Sequence, residues 1–417
     1  MPRDSRVAPW RLVLLLVFGL AGASACGDGP PGRDPGEPSD VYPAFAPTGP
    51  QVVGDRSTVL ASPHVRAVTF TSDPIEEHAE EVVSHLGDPA YWAATAQYSV
   101  GPLTVDAPIR IGDPAPDKLD PSQVEAWVQS RFDGSHPEFG APDPMTIYAV
   151  FFPVTTTLLE ESMPWCGGYH SATSVNGVPI VYGVIADCTS PPSDAVFASI
   201  DFIASHEVAE AASDPCTGGS CRGFSVDYDH YAWQYLNSLN STPGDVVLGG
   251  EIGDLCEGWD NGYTIPGTLF DVQRLWSNAS MLEGHDPCVP RSPETPYFNS
   301  MPVLPDDIDF PVGHGTLVHT KGLQVPYGQT RVVELDLYSD ADTHAPWFLR
   351  FSTLDLDLSG FGNTPHLRIA ADRSTGQNGE KIYLSITRKS QGTAGTIVFV
   401  VSTLGSTQVV WPFAVSP

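Results

Sequence analysis

Apolar and polar positions follow two different rhythms along this chain, and the change near residue 300 divides it. In the first part, unbroken apolar runs alternate with helical stripes. Val65–Thr71 is rich in β-branched residues and predicts a strand. Pro74–Leu86 predicts a helix, with Ile75, Ala79, Val82, Val83 and Leu86 on one stripe, and Tyr91, Trp92 and Tyr98 are expected to pack on it. Asp120 opens another helix, with Pro121 in first position, Gln123 reaching back to the cap, and Val124, Trp127, Val128 and Phe132 as its buried face. Thr146–Phe152 and Pro179–Ala186 are continuous apolar runs that predict central strands. Ser193–Pro215 then predicts the longest helix, capped by Ser193, ended by Asp214-Pro215, and apolar nearly all round, so buried in a core. Strands alternating with helices predict a layered α/β (α+β) domain over residues 60–292.

From Pro302 the period becomes two. Val333–Leu337, Leu354–Leu358 and Ile382–Ile386 alternate apolar with polar, Thr396–Val401 reads as a buried strand, and Gly376–Gly379 is turn chemistry. Short strands at these intervals predict an all-β sandwich over 302–417, a stabilising appendage of the kind that also binds partners or walls. It carries no catalytic constellation.

Chemistry concentrates in the last turns of the long helix, which read H-E-x-x-E. His206 and Glu210 are four apart and project from one face, as two ready ligands for one divalent cation. Glu207, beside His206, is the expected general base, as in the related H-E-x-x-H zinc-peptidase helix. A solvated ion pair at a helix end would be the plainer reading. The helix is too apolar for that, and a buried carboxylate calls for a cation. The third ligand is expected from Glu251-Ile-Gly-Asp254-Leu-Cys256, with Asp254 favoured over Glu251 because a disulfide at Cys256 would fix it. One imidazole with two carboxylates is oxygen-rich, so zinc is the expected ion while calcium and manganese stay open. A second imidazole would improve the site for zinc. His170 is the candidate, as ligand or as a supporting contact, with His230 and His285 behind it.

Charge and composition narrow the setting. Fifty acidic against 20 basic residues give a net charge of −30, which excludes nucleic acid as a partner. Arg3, Arg6 and Arg11 precede the apolar run Leu12–Leu20 and a small-residue exit, which predicts an export signal over 1–25. Ala23-Ser-Ala-Cys26 resembles a bacterial lipobox, so Cys26 is expected to carry lipid, with residues 26–59 as a disordered tether. The expected location is the cell envelope or outer surface, or the medium, with the lipid as the sole membrane contact. Cys166, Cys188, Cys216, Cys221, Cys256 and Cys288 remain as an even set, expected to pair as disulfides. Spacing leaves the connectivity open; pairing Cys216 with Cys221 as the nearest loop leaves Cys166–Cys188 and Cys256–Cys288. With the cysteines in disulfides and no G-x-S-x-G, a Ser or Cys hydrolase finds no support.

Four motifs occur in a fixed order: Cys166-Gly-Gly-Tyr-His170-Ser, Ser205-His-Glu-Val-Ala-Glu-Ala-Ala-Ser-Asp-Pro215, Glu251-Ile-Gly-Asp-Leu-Cys256 and Val272-Gln-Arg-Leu-Trp-Ser-Asn278. Together with Tyr91-Trp92 and Tyr98 they resemble the EXORDIUM (phosphate-induced protein) family and its bacterial relatives, over about half the chain. That family is similar to zincin metallopeptidases in its helix, so the resemblance implies a zincin-like domain and a metal site more than a reaction. The chain departs from the pattern by an insertion over about residues 229–247. Two functions of different class follow. One is a cell-surface metallopeptidase acting on protein or peptide. The other is a non-catalytic surface binding or adhesion lipoprotein with a structural or vestigial metal, taking cell-wall or surface polysaccharide or protein.

Overall fold

The structure is a computed structural model that describes residues 33–417 apart from 72, 161, 189–192, 218–220, 222, 240–245, 247, 258–261, 292–294, 314 and 357–365. The expected signal and Cys26 lie outside the described residues. Three apolar runs form the parallel centre of the first sheet: β2 (His64–Phe70), β3 (Thr146–Phe152) and β5 (Val178–Ala186), with Ala67 beside Ala149 and Ala149 beside Gly183. β4 (Gly168–Val175) runs antiparallel to β5 and forms the sheet's edge. Asn176 and Gly177, at φ of 53° and 80°, make the tight turn between β4 and β5.

Strands buried on both faces explain the unbroken apolar runs. On one face, Val65, Ala67, Ile147, Phe151 and Val181 pack against α1 (Glu76–His85) and α3 (Asp194–Ser213). On the other, Val68, Tyr148, Val150 and Val184 meet Val124 and Val128 of α2 (Pro121–Ser130). Asp120 caps α2 as expected, accepting from the Gln123 N–H while its own N–H donates to Gln123 Oε1, both at 2.9 Å. Ser193 sits at the N-cap of α3 without a side-chain capping bond. The helix is instead held by burial, complete through its last turns from Glu207 to Ser213. Tyr91 and Tyr98 reach past α1: Tyr91 Oη donates to the Ser205 carbonyl at 3.2 Å and Tyr98 Oη to the Trp276 carbonyl at 2.8 Å.

The molecule as a whole is mostly β. Its second part is a sandwich of two sheets. One is the four-stranded set Phe298–Pro302, Thr330–Ser339, Lys381–Arg388 and Leu367–Ala371. The other runs Asp306–Gly313, Thr316–Gln324, Thr407–Ser416, Thr396–Leu404, Trp347–Asp355 and the short Thr375–Gly376. Of the expected Leu354–Leu358 strand, residues 354–356 are described, and Leu354 and Asp355 end the strand Trp347–Asp355 of that sheet.

Two expectations are corrected. The sandwich is no appendage, because one apolar core runs through both parts. The stretch expected as an insertion supplies the join: 3-10 turns over Tyr228–Leu239 bury Trp233, whose ring lies 5.6 Å from Trp276 and 5.4 Å from Trp411. The tether expected over 26–59 is, from Arg33 on, an ordered strap. Tyr383 Oη donates to the Asp34 carbonyl, and Asn378 Nδ2 to the carbonyls of Ser39 and Val41, each at 2.8 Å. β1 (Val52–Gly54) then pairs antiparallel with β6 (Phe224–Val226). Few strap side chains are apolar; backbone hydrogen bonds hold it, and those leave no periodicity to read.

Candidate metal centre

α3 runs beneath the sheet so that His206, Glu207 and Glu210 face two other segments. β4 brings His170 from the sheet edge, and the loop before the turn Asp254–Cys256 brings Glu251 and Asp254. Glycines make the approach close enough. A Cβ on Gly168 would lie 2.8 Å from Glu207 Oε1, and one on Gly253 would lie 2.7 Å from Glu210 Oε1 and 2.8 Å from His206 Nδ1.

Glu210 is the common point. Its Oε2 lies 3.0 Å from His206 Nε2 and 3.8 Å from His170 Nδ1, while Oε1 accepts the N–H groups of Gly253 and Asp254, each at 3.0 Å. His170 Nδ1 also lies 3.3 Å from Glu207 Oε2. Asp254 Oδ1 is 3.9 Å from His206 Nε2, and its Oδ2 is tied to the N–H groups of Gly250 and Glu251 at 2.7 and 3.0 Å. Glu251 Oε2 and His170 Nε2 lie 3.7 Å apart, and both are buried with no hydrogen-bond partner. Two donor sets are each compact enough to hold one ion, His170 with Glu210 and Glu251, and His206 with Glu207 and Glu210. Two orphaned buried atoms of these types fit a cation, which would satisfy both at once. His170 also lies near Cys216 and Cys221, but those sulfurs are bonded to each other.

The crowded charges shift one another. Burial alone would lower the His170 imidazolium, but the carboxylates of Glu251, Glu207 and Glu210 outweigh it and push it up to about 10. The same opposition, with Glu210 the strongest carboxylate, holds His206 well above its usual value. Burial and the Glu210 charge raise Asp254 to about 7 and Glu251 well above the carboxylate range. Burial opposes Glu210 too, yet the neighbouring His206 keeps its carboxyl below that range.

A cleft of about 960 Å³ opens onto this cluster, with His170, His206, Glu207 and Asp254 at its floor and Trp165, Phe202, Ile203 and Leu248 on its walls. Glu210 and Glu251 lie behind that floor. The structure thus brings together all five acidic and histidine candidates of the two chief motifs and adds His170 as a close neighbour. The other histidines are elsewhere: His230 contacts Asp227 at 2.8 Å, and His285 contacts Asp340 at 3.1 Å. Gln273 was not singled out by the sequence reading, yet its Oε1 lies 2.8 Å from His206 Nδ1. Its place inside the fourth motif was the available signal, but an amide has no charge or metal-ligand spacing to mark it.

The cysteines pair as Cys166–Cys188, Cys216–Cys221 and Cys256–Cys288. They brace the strand before the cleft, the end of α3 and the Asp254 turn, and they place maturation in an oxidising compartment outside the cytoplasm. Among the described residues no helix is long and apolar enough to cross a membrane.

No protein-family model matches the chain, and no curated protein matches it. Among solved structures it is similar to domains 4 and 5 of the S-layer protein SbsC, at 16% identity and a TM-score of 0.17, over 28% of this chain and 47% of that one. It is also similar to the titin M3 domain, at 12% identity and a TM-score of 0.17, over 29% of this chain and 94% of that one. A third likeness is PapD-like domain 7 of human CEP192, at 15% identity and a TM-score of 0.19, over 30% and 88%. The chain spans about half the length of the S-layer fragment it matches. Superpositions this partial carry no argument about activity.

Proposed function

We propose that the chain is an exported, lipid-anchored metal-dependent hydrolase of the metallopeptidase kind, a relative of the EXORDIUM family with a zincin-like helix, that cleaves an amide in a protein or peptide. One observation carries the reading. Two imidazoles and four carboxylates from three distant segments converge beside a cleft that four of the six line, and two of their buried atoms lack a hydrogen-bond partner. Glu210, common to both donor sets, would hold the ion either with His206 or with His170 and Glu251, with Asp254 Oδ1 at the margin. A divalent cation bound there supplies Lewis-acid polarisation of a carbonyl and lowers the pKa of a water. Glu207, at the cleft floor beside His170, takes the proton from the attacking water and delivers it to the leaving amine. The apolar walls of the cleft seat the substrate and limit competing water. Each donor set offers one imidazole, and His170 adds a nitrogen donor that the H-E-x-x-E motif lacks, which favours zinc over calcium.

The test is elemental analysis of the purified full chain. Stoichiometric metal, lost in His206→Ala, supports the reading; a metal-free wild type at neutral pH overturns it. A second expectation follows from the shifted groups. In the metal-free protein the His170 imidazolium is pushed up to about 10 by Glu251, Glu207 and Glu210, and His206 and Glu251 stand above their ordinary values as well. A cation competes with protons for these groups, so zinc affinity should rise as pH rises from about 6 to 8, with net proton release. Calorimetry in two buffers of different ionisation enthalpy reads that release directly. Affinity that is flat with pH would count against the imidazoles as donors.

A further inference from the structure

Four hydrogen-bonding groups close a circuit around His206, and the circuit determines which ring nitrogen faces the cleft cluster. Gln273 is wholly buried at the end of the strand Asp271–Gln273, and its own N–H is held by Ser205 Oγ at 2.9 Å. Its Nε2 donates to the Gly253 carbonyl at 2.5 Å. A carbonyl can only accept, so the amide has one orientation, with Oε1 toward His206 Nδ1 at 2.8 Å. That oxygen also only accepts, so Nδ1 carries a hydrogen, and in the neutral ring the lone pair is at Nε2. Nε2 is the atom 3.0 Å from Glu210 Oε2. Glu210 Oε1 in turn takes the Gly253 N–H at 3.0 Å, which closes the circuit.

We infer that Gln273 is a positioning residue that fixes His206 with its proton on Nδ1 and turns Nε2 toward the site as a cation donor. The inference rests on the reading of this cluster as a cation site. Gly253 links the two arms, since its carbonyl orients Gln273 while its N–H orients Glu210. One substitution at Gln273 therefore disturbs the imidazole directly and the carboxylate through the loop.

The experiment uses the full chain labelled with ¹⁵N-histidine and loaded with Zn²⁺, the His206 signals being assigned by their loss in His206→Asn. A proton on Nδ1 and none on Nε2 is expected. Zinc titrations then compare Gln273→Met, which keeps volume and removes the acceptor, with Gln273→Glu, which keeps an acceptor at Nδ1. The first should lose roughly 10- to 100-fold in affinity and the second much less. Metal-free melting curves report whether each variant folds, and the wild-type tautomer decides the matter if Gln273→Met does not. A proton on Nε2 in the zinc-loaded wild type, or wild-type affinity in a folded Gln273→Met, overturns the inference while leaving the metal site standing. A wild type that takes up no zinc overturns both.

Discussion

Glu207→Gln is expected to lower hydrolysis of a peptide library by roughly 10²- to 10⁴-fold, the usual contribution of a positioned general base, while metal content stays at the wild-type level. The substitution keeps the shape of the side chain and removes its capacity to take a proton. Glu207 is 5% exposed and its Oε2 lies 3.3 Å from His170 Nδ1, so an amide there still has a hydrogen-bonding neighbour and the fold is spared. Glu210 remains to hold the cation. Product formation by mass spectrometry and metal content by emission spectroscopy are read on the same sample. Unchanged hydrolysis would remove Glu207 from the chemistry. A wild type that carries metal but cleaves nothing would favour the non-catalytic surface-protein reading.

The second large effect concerns stability. Trp233→Ala should cost about 3–5 kcal/mol, the range for deleting a large buried aromatic side chain. Trp233 is 4% exposed and packs edge-on against Trp276 of the first part and Trp411 of the sandwich. Because these rings belong to one continuous core, denaturant unfolding followed by far-UV and near-UV signals should move as a single transition to lower midpoint. Two transitions, with one left at its wild-type midpoint, would show that the two parts fold independently and that the shared core carries little energy.

What the sequence made legible was whatever depends on local pattern. The central strands, the stripe Ile75, Ala79, Val82, Val83 and Leu86, and the capping box at Asp120 all leave a period or a fixed offset, and the structure places them within a residue or two. The pairing of His206 with Glu210 was legible for the same reason, since the two are one helical turn apart. The different surroundings of Glu251 and Asp254 were not, because they depend on which carboxylate oxygens the loop's own N–H groups occupy. Asp254 Oδ2 is occupied in that way, whereas Glu251 Oε2 has no partner. The packing role of Trp233, inside the insertion expected over about residues 229–247, was not legible because both its neighbours lie far along the chain. The strap was invisible because its bonds come from the backbone.

That strap binds the beginning of the described chain to turns near its end. Asp34 meets Tyr383 across 349 positions, and Ser39 meets Asn378 across 339. A ribosome or an export channel releases the first of these residues long before the second exists outside it. The knot of backbone bonds can therefore be tied only once nearly the whole polypeptide has emerged, and until then the early segment waits without its partners. A chain clipped anywhere before Asn378 would be left with a loose beginning, so protease nicking late in the sequence should be felt at the opposite terminus.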